Sequence, residues 1–457
     1  MERFSVNRFY LIAFYCTLIM VTGCSSSSNQ DGDNTELLSV VAISRHGIRS
    51  PTSSLDMYTL RSQGFPDWPA PANTAGYLTT WGQHNATLLG VWYRDFYAAQ
   101  GLLPPRGSCP AQGSVFVYAD VAERTINTAQ GYVYGLFQSD ATSDCGVQVN
   151  HWNGPIPVDP YIATAAAGMC QINTTADLAA FNARIGSIAS LISTYTPQLD
   201  MLQTLTQCCE PAACGGAGDC SLLDLAMTVT TSGSVGFASG SMFNVADMIT
   251  ETFELEYAQG MPKADCETKP GSPCVGWGVI PSGGLYDMTK LHVMNMDLSC
   301  SLPSYAQVGA TNLMWQLVGT MDQSLTGVKN PDMLAPAESK FTLFVAHDEN
   351  LLGIAAFLGG VTWKAEGFQQ NDPGPAGALV FELHRVRQTG QLIVRLFYVI
   401  ATLDQMRSGS TLTLKTPPQR IPLTIPACGG LLDCPYDQFK AFITNHVRPD
   451  CLVTAAP

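Results

Sequence analysis

The chain has 457 residues, 46% of them hydrophobic and 13% charged, with 7 Trp, 16 Tyr and 19 Phe. That composition belongs to a globular chain long enough for one large core or two domains. The formal net charge of -14 excludes nucleic acid as a partner, since that needs a basic surface, and confines any cationic site to a local patch.

Residues 1–24 read as an export signal. Two arginines in MERFSVNRF precede the apolar stretch FYLIAFYCTLIM, and VTGC ends it at Cys24. The stretch is shorter than the ~20 residues of a membrane-spanning helix. VTGC resembles the bacterial lipobox, whose cysteine is lipidated and becomes the new N-terminus. Cys24 is therefore the expected lipid anchor, and residues 25–36 read as a polar tether. The expected location is the bacterial periplasm or cell envelope, and no later segment reads as transmembrane.

From there, three places share one layout. ELLSVVAIS leads into RHGIRSP. SVFVYAD leads into VAERTINTAQGYVYGLF, where Ile126, Ala129, Val133 and Leu136 recur at helical spacing. KFTLFVA leads into HDENLLGIAAFLGG, with a helix predicted from Asn350 and closed by Gly359 and Gly360. Strands that end in charged turns and feed helices predict an α/β fold, a mixed central sheet flanked by helices, with its ligand crevice at the carboxyl ends of the strands. Residues 37–149 and 289–457 form this core, and residues 150–288 are expected to be an inserted, mainly helical cap. In the cap, TADLAAFNARIGSIASLIS sets Leu178, Phe181, Ile185, Ile188 and Ile192 on one helical face. SMFNVADMITETFELEYAQG does the same with Met242, Val245, Ile249 and Phe253, and stops at Gly260. The tail returns to strands in ALVFELHRV and QLIVRLFYVI, then to a proline-interrupted surface wrap, TLTLKTPPQRIPLTIPACGG.

Of the 15 cysteines, Cys16 and Cys24 lie in the signal, and the density of the rest suits an oxidising compartment. Close candidates are Cys109 with Cys145, Cys266 with Cys274, and Cys428 with Cys434. Cys208, Cys209, Cys214 and Cys220 are placed for two bridges or, without a nearby histidine, less aptly for zinc. The odd count leaves one thiol over, expected to be Cys300.

Arg45, His46 and Arg49 crowd three cationic or near-cationic groups behind an apolar strand, which calls for an anion. Guanidinium forks match the equatorial oxygens of a phosphate. Flanking arginines disfavour the charged imidazole, so His46 stays neutral and nucleophilic, and its attack on phosphorus gives a phosphohistidine. Gly47 is expected to let the backbone approach the ligand. Asp348 suits the proton donor to the leaving alkoxide and the acceptor from the attacking water. His347 and Arg124 are candidates for further phosphate contacts. The remaining histidines, His84, His151, His292, His384 and His446, read as packing or surface residues, with His292 a candidate for the cap hinge.

RHGIRSP with the distant HD pair resembles the histidine phosphatase superfamily, in its histidine acid phosphatase branch. GYLTTWGQ, GLLPPRGSCP, VYADVAERTINTA, YAQGMP, AHDENL, PAGALVFEL and LKTPP extend the likeness to bacterial periplasmic phytases and glucose-1-phosphatases. The resemblance implies a phosphate pocket of Arg45, His46, Arg49, Arg124 and His347, with His46 the nucleophile and Asp348 the proton donor. It adds Thr52 to the pocket, implies no metal and no cofactor, and suggests a Cys170–Cys451 bridge. The implied substrate is a small-molecule phosphate monoester, and no protein partner is implied. Glu349 stands where such phytases tend to have threonine, and TSSLDM lacks the lysine they tend to carry after the pocket threonine. Both departures favour a sugar phosphate over inositol hexakisphosphate, with a phytase or a specific glucose-1-phosphatase as the alternatives. A non-catalytic lipoprotein that captures phosphorylated ligands is the alternative of another class, and Asp348 argues against it.

Overall fold

The computed structural model describes residues 34–61, 64–138, 145–216, 218–263 and 274–453. The signal and the lipidation residue Cys24 lie outside these residues. In chain order the first half holds β1 (Thr35–Arg45), α1 (Thr80–Ala99), β2 (Val115–Ala119), α2 (Glu123–Val133), β3 (Val149–His151), α3 (Thr174–Ile185), α4 (Ile188–Thr206), β4 (Val229–Thr230), β5 (Gly236–Phe237) and α5 (Met242–Ala258). The second half holds α6 (Gly284–Cys300), α7 (Pro303–Thr326), β6 (Phe341–Ala346), α8 (Asp348–Phe357), β7 (Ala378–Val386), β8 (Leu392–Ile400), α9 (Leu403–Ser408), β9 (Gln419–Leu423), β10 (Cys434–Pro435) and α10 (Tyr436–His446).

The main sheet runs β10-β8-β7-β1-β6-β2-β3, with β9 paired to β8. The neighbours β1, β6, β2 and β3 are mutually parallel, while β7, β8, β9 and β10 pair antiparallel. From Ser39 onward every residue of β1 is buried, and so is every residue of β6. That burial on both faces explains their unbroken apolar runs. Helix α2 lies on β2 and β6, α7 and α8 lie against β1, and α10 lies against β8.

Residues 35–457 form one compact unit. Within it a second buried cluster, separate from the sheet core, holds Phe181, Leu199, Phe243, Ile249, Phe253 and Leu291 from α3, α4, α5 and α6. This is the helical stretch expected between residues 150 and 288. The boundary drawn at 288 falls inside α6, however, and the one at 150 falls inside β3.

Three local expectations are corrected. The TADLAAF…SLIS segment is two helices, because Gly186 takes φ 66° after α3 and the Ser187 side chain caps α4 by accepting from Ser190 N. Helix α8 starts at Asp348, two residues before the expected Asn350, with His347 at its N-cap. The proline-interrupted wrap contains a sheet strand, β9, which pairs along β8 from Leu396↔Leu423 to Ile400↔Gln419. Its Pro422 lies on a strand that pairs on one side only, where a missing N–H is tolerated.

The described disulfides are Cys109–Cys145, Cys170–Cys451, Cys208–Cys209, Cys214–Cys220 and Cys428–Cys434. Cys274 is also bridged, and its expected partner Cys266 lies outside the described residues. Cys300 is a free, buried thiol. Bridging on this scale belongs to a chain matured in an oxidising compartment. Among the described residues, no helix is long and apolar enough to cross a membrane.

Candidate active site

Because β1, β6 and β2 are parallel neighbours, their carboxyl ends open side by side. Ser44 pairs with Val345 and Val345 with Ala119, so the next residues, Arg45–His46, His347–Asp348 and Asp120, emerge along one edge. The pieces at positions 45, 120 and 347 are far apart in the sequence, and strand order brings them together.

The loop after β1 is fixed by its packing. The Gly47 N–H donates to Thr128 Oγ1 on α2 at 2.9 Å. A Cβ on Gly47 would lie 3.0 Å from the Gly82 carbonyl oxygen, and one on Gly82 would lie 2.4 Å from the Ile48 carbonyl oxygen. Gly47 therefore makes close contact with α1. Thr79 holds the start of α1, its hydroxyl accepting from Gly82 N at 2.7 Å.

His46 is 2% exposed. Its Nδ1 lies 2.8 Å from the Gly47 carbonyl oxygen, a bond that requires the proton on Nδ1 and leaves the Nε2 lone pair free. Burial, then Arg45, Arg49 and Arg124, hold its pKa well below the ordinary histidine value, so it is a neutral imidazole.

Arg45 and Arg49 are both buried. Arg45 NH1 donates to the Pro373 carbonyl at 3.0 Å, and NH2 lies 2.9 Å from Asp348 Oδ2. Arg49 NH1 donates to the Ser50 carbonyl at 3.1 Å. Both guanidinium NH2 groups also donate to Glu251 of α5, Arg49 to both carboxylate oxygens at 2.8 and 3.0 Å. Arg124, at the start of α2, places NH2 3.4 Å from His347 Nδ1. His347 Nε2 lies 2.8 Å from Asp120 Oδ2, which fixes the ring, and the His46 and His347 ring centroids are 5.5 Å apart. Thr52 is exposed at the rim, beside Gly76, which also approaches Arg124. The structure thus brings Arg45, His46, Arg49, Arg124, His347 and Asp348 together and leaves Thr52 at the edge.

Asp348 departs from expectation. Its Oδ1 accepts from Glu349 N at 3.0 Å while Oδ2 faces Arg45. Burial works to raise its pKa, but the Arg45 and Arg49 guanidiniums overcome burial and hold it far below the ordinary carboxylate value. The free protein therefore does not present Asp348 protonated in mild acid.

Several residues at the site were not read from sequence. Glu251 bridges the two arginines: burial favours its neutral form, yet Arg49 and Arg45 keep it below the usual range. Asp247, Glu251 and Glu254 stand four and three residues apart on α5, and an acidic stripe at that spacing on a buried helix is the signal that marks them. His292 of α6 is buried, and its Nδ1 lies 2.6 Å from Asp247 Oδ1. Burial opposes its charge, but Asp247 outweighs burial, and its pKa is pushed up to about 10. Asp120 directly follows β2 as His347 directly follows β6, a parallel visible in the sequence.

Comparison with known proteins agrees with this geometry. Residues 36–159 match the family model described as the histidine phosphatase superfamily (branch 2). The chain is 29% identical over 432 residues to the phytase AppA of Escherichia coli (strain K12), covering 92% of this chain and 93% of that protein. It is 27% identical over 417 residues to the glucose-1-phosphatase of Salmonella typhimurium, covering 88% and 91%. The solved structure of Hafnia alvei phytase in complex with tartrate superposes with a TM-score of 0.78 at 28% identity, covering 92% of this chain and 99% of that one. Over most of its length, then, the chain is similar to phytases and glucose-1-phosphatases, and residues 36–159 carry the likeness to the histidine phosphatase superfamily, branch 2.

Proposed function

We propose that this protein hydrolyses phosphate monoesters through a phosphohistidine on His46. The observation that carries the reading is the unprotonated Nε2 of His46, held neutral among Arg45, Arg49 and Arg124. The arginines, with His347, receive the phosphate oxygens. The Nε2–P bond forms as the P–O bond to the alcohol breaks, and Asp348 hands its proton to the departing oxygen. Water then attacks phosphorus, Asp348 takes a proton from it, and the P–N bond breaks to release phosphate and neutral His46. Thr52 is assigned to the rim of the phosphate pocket, and the helices around residues 150–288 to a cap over it.

The proton on Asp348 follows from linkage. Arg45 keeps the carboxyl ionised in the free protein, and a bound phosphate takes up the charge of the arginines, so the Asp348 pKa rises on binding. A monoester retains one proton below its second pKa of about 6 and brings it into the site. Turnover should therefore be greatest in mild acid and fall as pH rises past about 6. Release of p-nitrophenol from p-nitrophenyl phosphate between pH 4 and 8, without added metal, tests this, with His46→Ala alongside. Loss of at least ~10³-fold in the variant is expected. A variant that retains wild-type turnover sinks the nucleophile assignment, and a wild-type optimum above neutral pH sinks the proton route.

The lipid anchor at Cys24 belongs to the same proposal. The supporting feature is VTGC followed by a polar tether, and an anchor there would hold the enzyme at a membrane surface in the cell envelope.

A further inference from the structure

His347 has two ring nitrogens, and its neighbours decide which of them meets a ligand. The Asp120 N–H donates to the Val345 carbonyl at 3.0 Å, joining the ends of β2 and β6. The Asp120 carboxylate is buried just before α2, facing the backbone N–H groups of Val121 and Ala122. Burial favours its neutral form, but the His347 ring and those N–H groups outweigh burial and keep its pKa below the usual range. An ionised carboxylate only accepts, so the His347 proton sits on Nε2, 2.8 Å from Asp120 Oδ2. The other nitrogen agrees. Arg124 NH2 lies 3.4 Å from Nδ1, and a guanidinium only donates, so Nδ1 there presents a lone pair. The backbone holds the residue as well, since His347 N donates to Asn350 Oδ1 at 3.0 Å. A lone pair repels a phosphate oxygen. His347 can hold phosphate through Nδ1 only after that nitrogen gains a proton.

We propose that Asp120 is a positioning residue that makes His347 bind phosphate as an imidazolium, one proton being taken up at Nδ1 as the anion enters. The inference deepens the phosphomonoesterase reading above and rests on it. Phosphate draws Arg124 off Nδ1, and a proton from solvent, distinct from the one the ester carries to Asp348, adds to the lone pair. The new N–H donates to a phosphate oxygen while Nε2–H stays on Asp120. The groups facing the ring are Asp120 after β2, Arg124 on α2, His46 on the loop after β1, and Asp348 and Glu349 on α8. Asp159, from the stretch after β3, acts on Asp120 in turn. Arg124 opposes a positive ring, and the hydrogen-bonded Asp120 anion offsets that opposition. Asp120→Asn keeps an acceptor for the N–H groups before α2 but removes the charge, and its amide NH2 can donate to Nε2. The ring proton then moves to Nδ1 with the ring still neutral. Phosphate binds such a ring without proton uptake and through a weaker donor.

The test is calorimetric titration with inorganic phosphate at pH 7, in buffers of different ionisation enthalpy, which counts the protons taken up on binding. It is run on wild type, Asp120→Asn, His347→Gln and the double variant. Asp120→Asn should take up about one proton fewer than wild type and bind phosphate ~10–100-fold more weakly. His347→Gln should lose the same proton, and the double variant should lose no more. That agreement ties the proton to the ring, and His347→Gln serves if Asp120→Asn does not fold. Weaker binding by Asp120→Asn with the full wild-type uptake would make Asp120 a structural residue and overturn the inference. Full uptake in His347→Gln would overturn it as well. Turnover of p-nitrophenyl phosphate by wild type, measured alongside, separates the two claims. If wild type turns the ester over and the variants leave uptake unchanged, only the role of Asp120 is lost. If wild type does not turn it over, the phosphatase reading falls and the inference with it.

Discussion

Asp348 meets two demands that pull apart. It must be an anion to pair with Arg45 at 2.9 Å in the free protein, and, in the proposed mechanism, an acid when the alcohol leaves. Substrate charge reconciles them by taking up the guanidinium. The cost of removing Asp348 should then depend on how much the leaving group needs its proton. In Asp348→Asn, turnover of glucose 1-phosphate should fall by ~10³-fold and that of p-nitrophenyl phosphate, whose phenolate leaves unaided, by only ~10-fold. Equal losses for the two esters would remove Asp348 from the proton route. At this scale much was legible, because Arg45, His46 and Arg49 share one loop and His347 adjoins Asp348. Glu251 was not, since its contact with Arg45 and Arg49 exists only once α5 packs over a loop some 200 positions upstream.

Among elements, the junction of the β1 loop with α1 positions His46, the proposed nucleophile. Gly82 and Ile48 meet backbone to backbone, with no flexible side chain to yield. Gly82→Ala would place its Cβ 2.4 Å from Ile48 O and push the loop away from α1. A loss of about 1–3 kcal/mol in unfolding free energy is expected, accompanied by a fall in kcat. Thermal unfolding and steady-state kinetics on the same preparation check both, and an unchanged kcat would mean that the contact serves stability alone. The three strand-to-helix units were readable because each strand is an apolar run ended by charge. The break at Gly186 and the pairing of β9 were not, since a glycine within an apolar period and prolines within a strand each allow two local readings, which tertiary packing resolves.

For the whole molecule, the cross-link of widest span is Cys170–Cys451, with a sequence separation of 281. It sits with Val308 of α7 in its own small buried cluster, tying the stretch after β3 to the segment after α10. Closing so long a loop in the unfolded chain is worth up to about 5 kcal/mol. The double variant Cys170→Ser/Cys451→Ser should melt about 5 °C lower while keeping the reaction centre intact. A melting temperature within a degree of wild type would mean that the tail is held by its packing, including the three bonds from Asn312 to Pro160, Thr164 and Cys451.

The central place of β1 also sets a timetable. Val40 pairs with Phe341, and Ser44 pairs with Ala378, so the strand that leads into His46 meets neither neighbour until most of the chain exists. At roughly 5–20 residues per second of synthesis, those ~300 residues take about 15–60 s. Throughout that interval the apolar run Val40–Ile43 has no sheet to join, and His46 has no Asp348 opposite it. On the proposed mechanism a ribosome-bound or translocating chain is therefore chemically silent. The enzyme is switched on by completion of its own sheet, and for an exported chain that moment comes on the far side of the membrane, away from the phosphate esters of the cell interior.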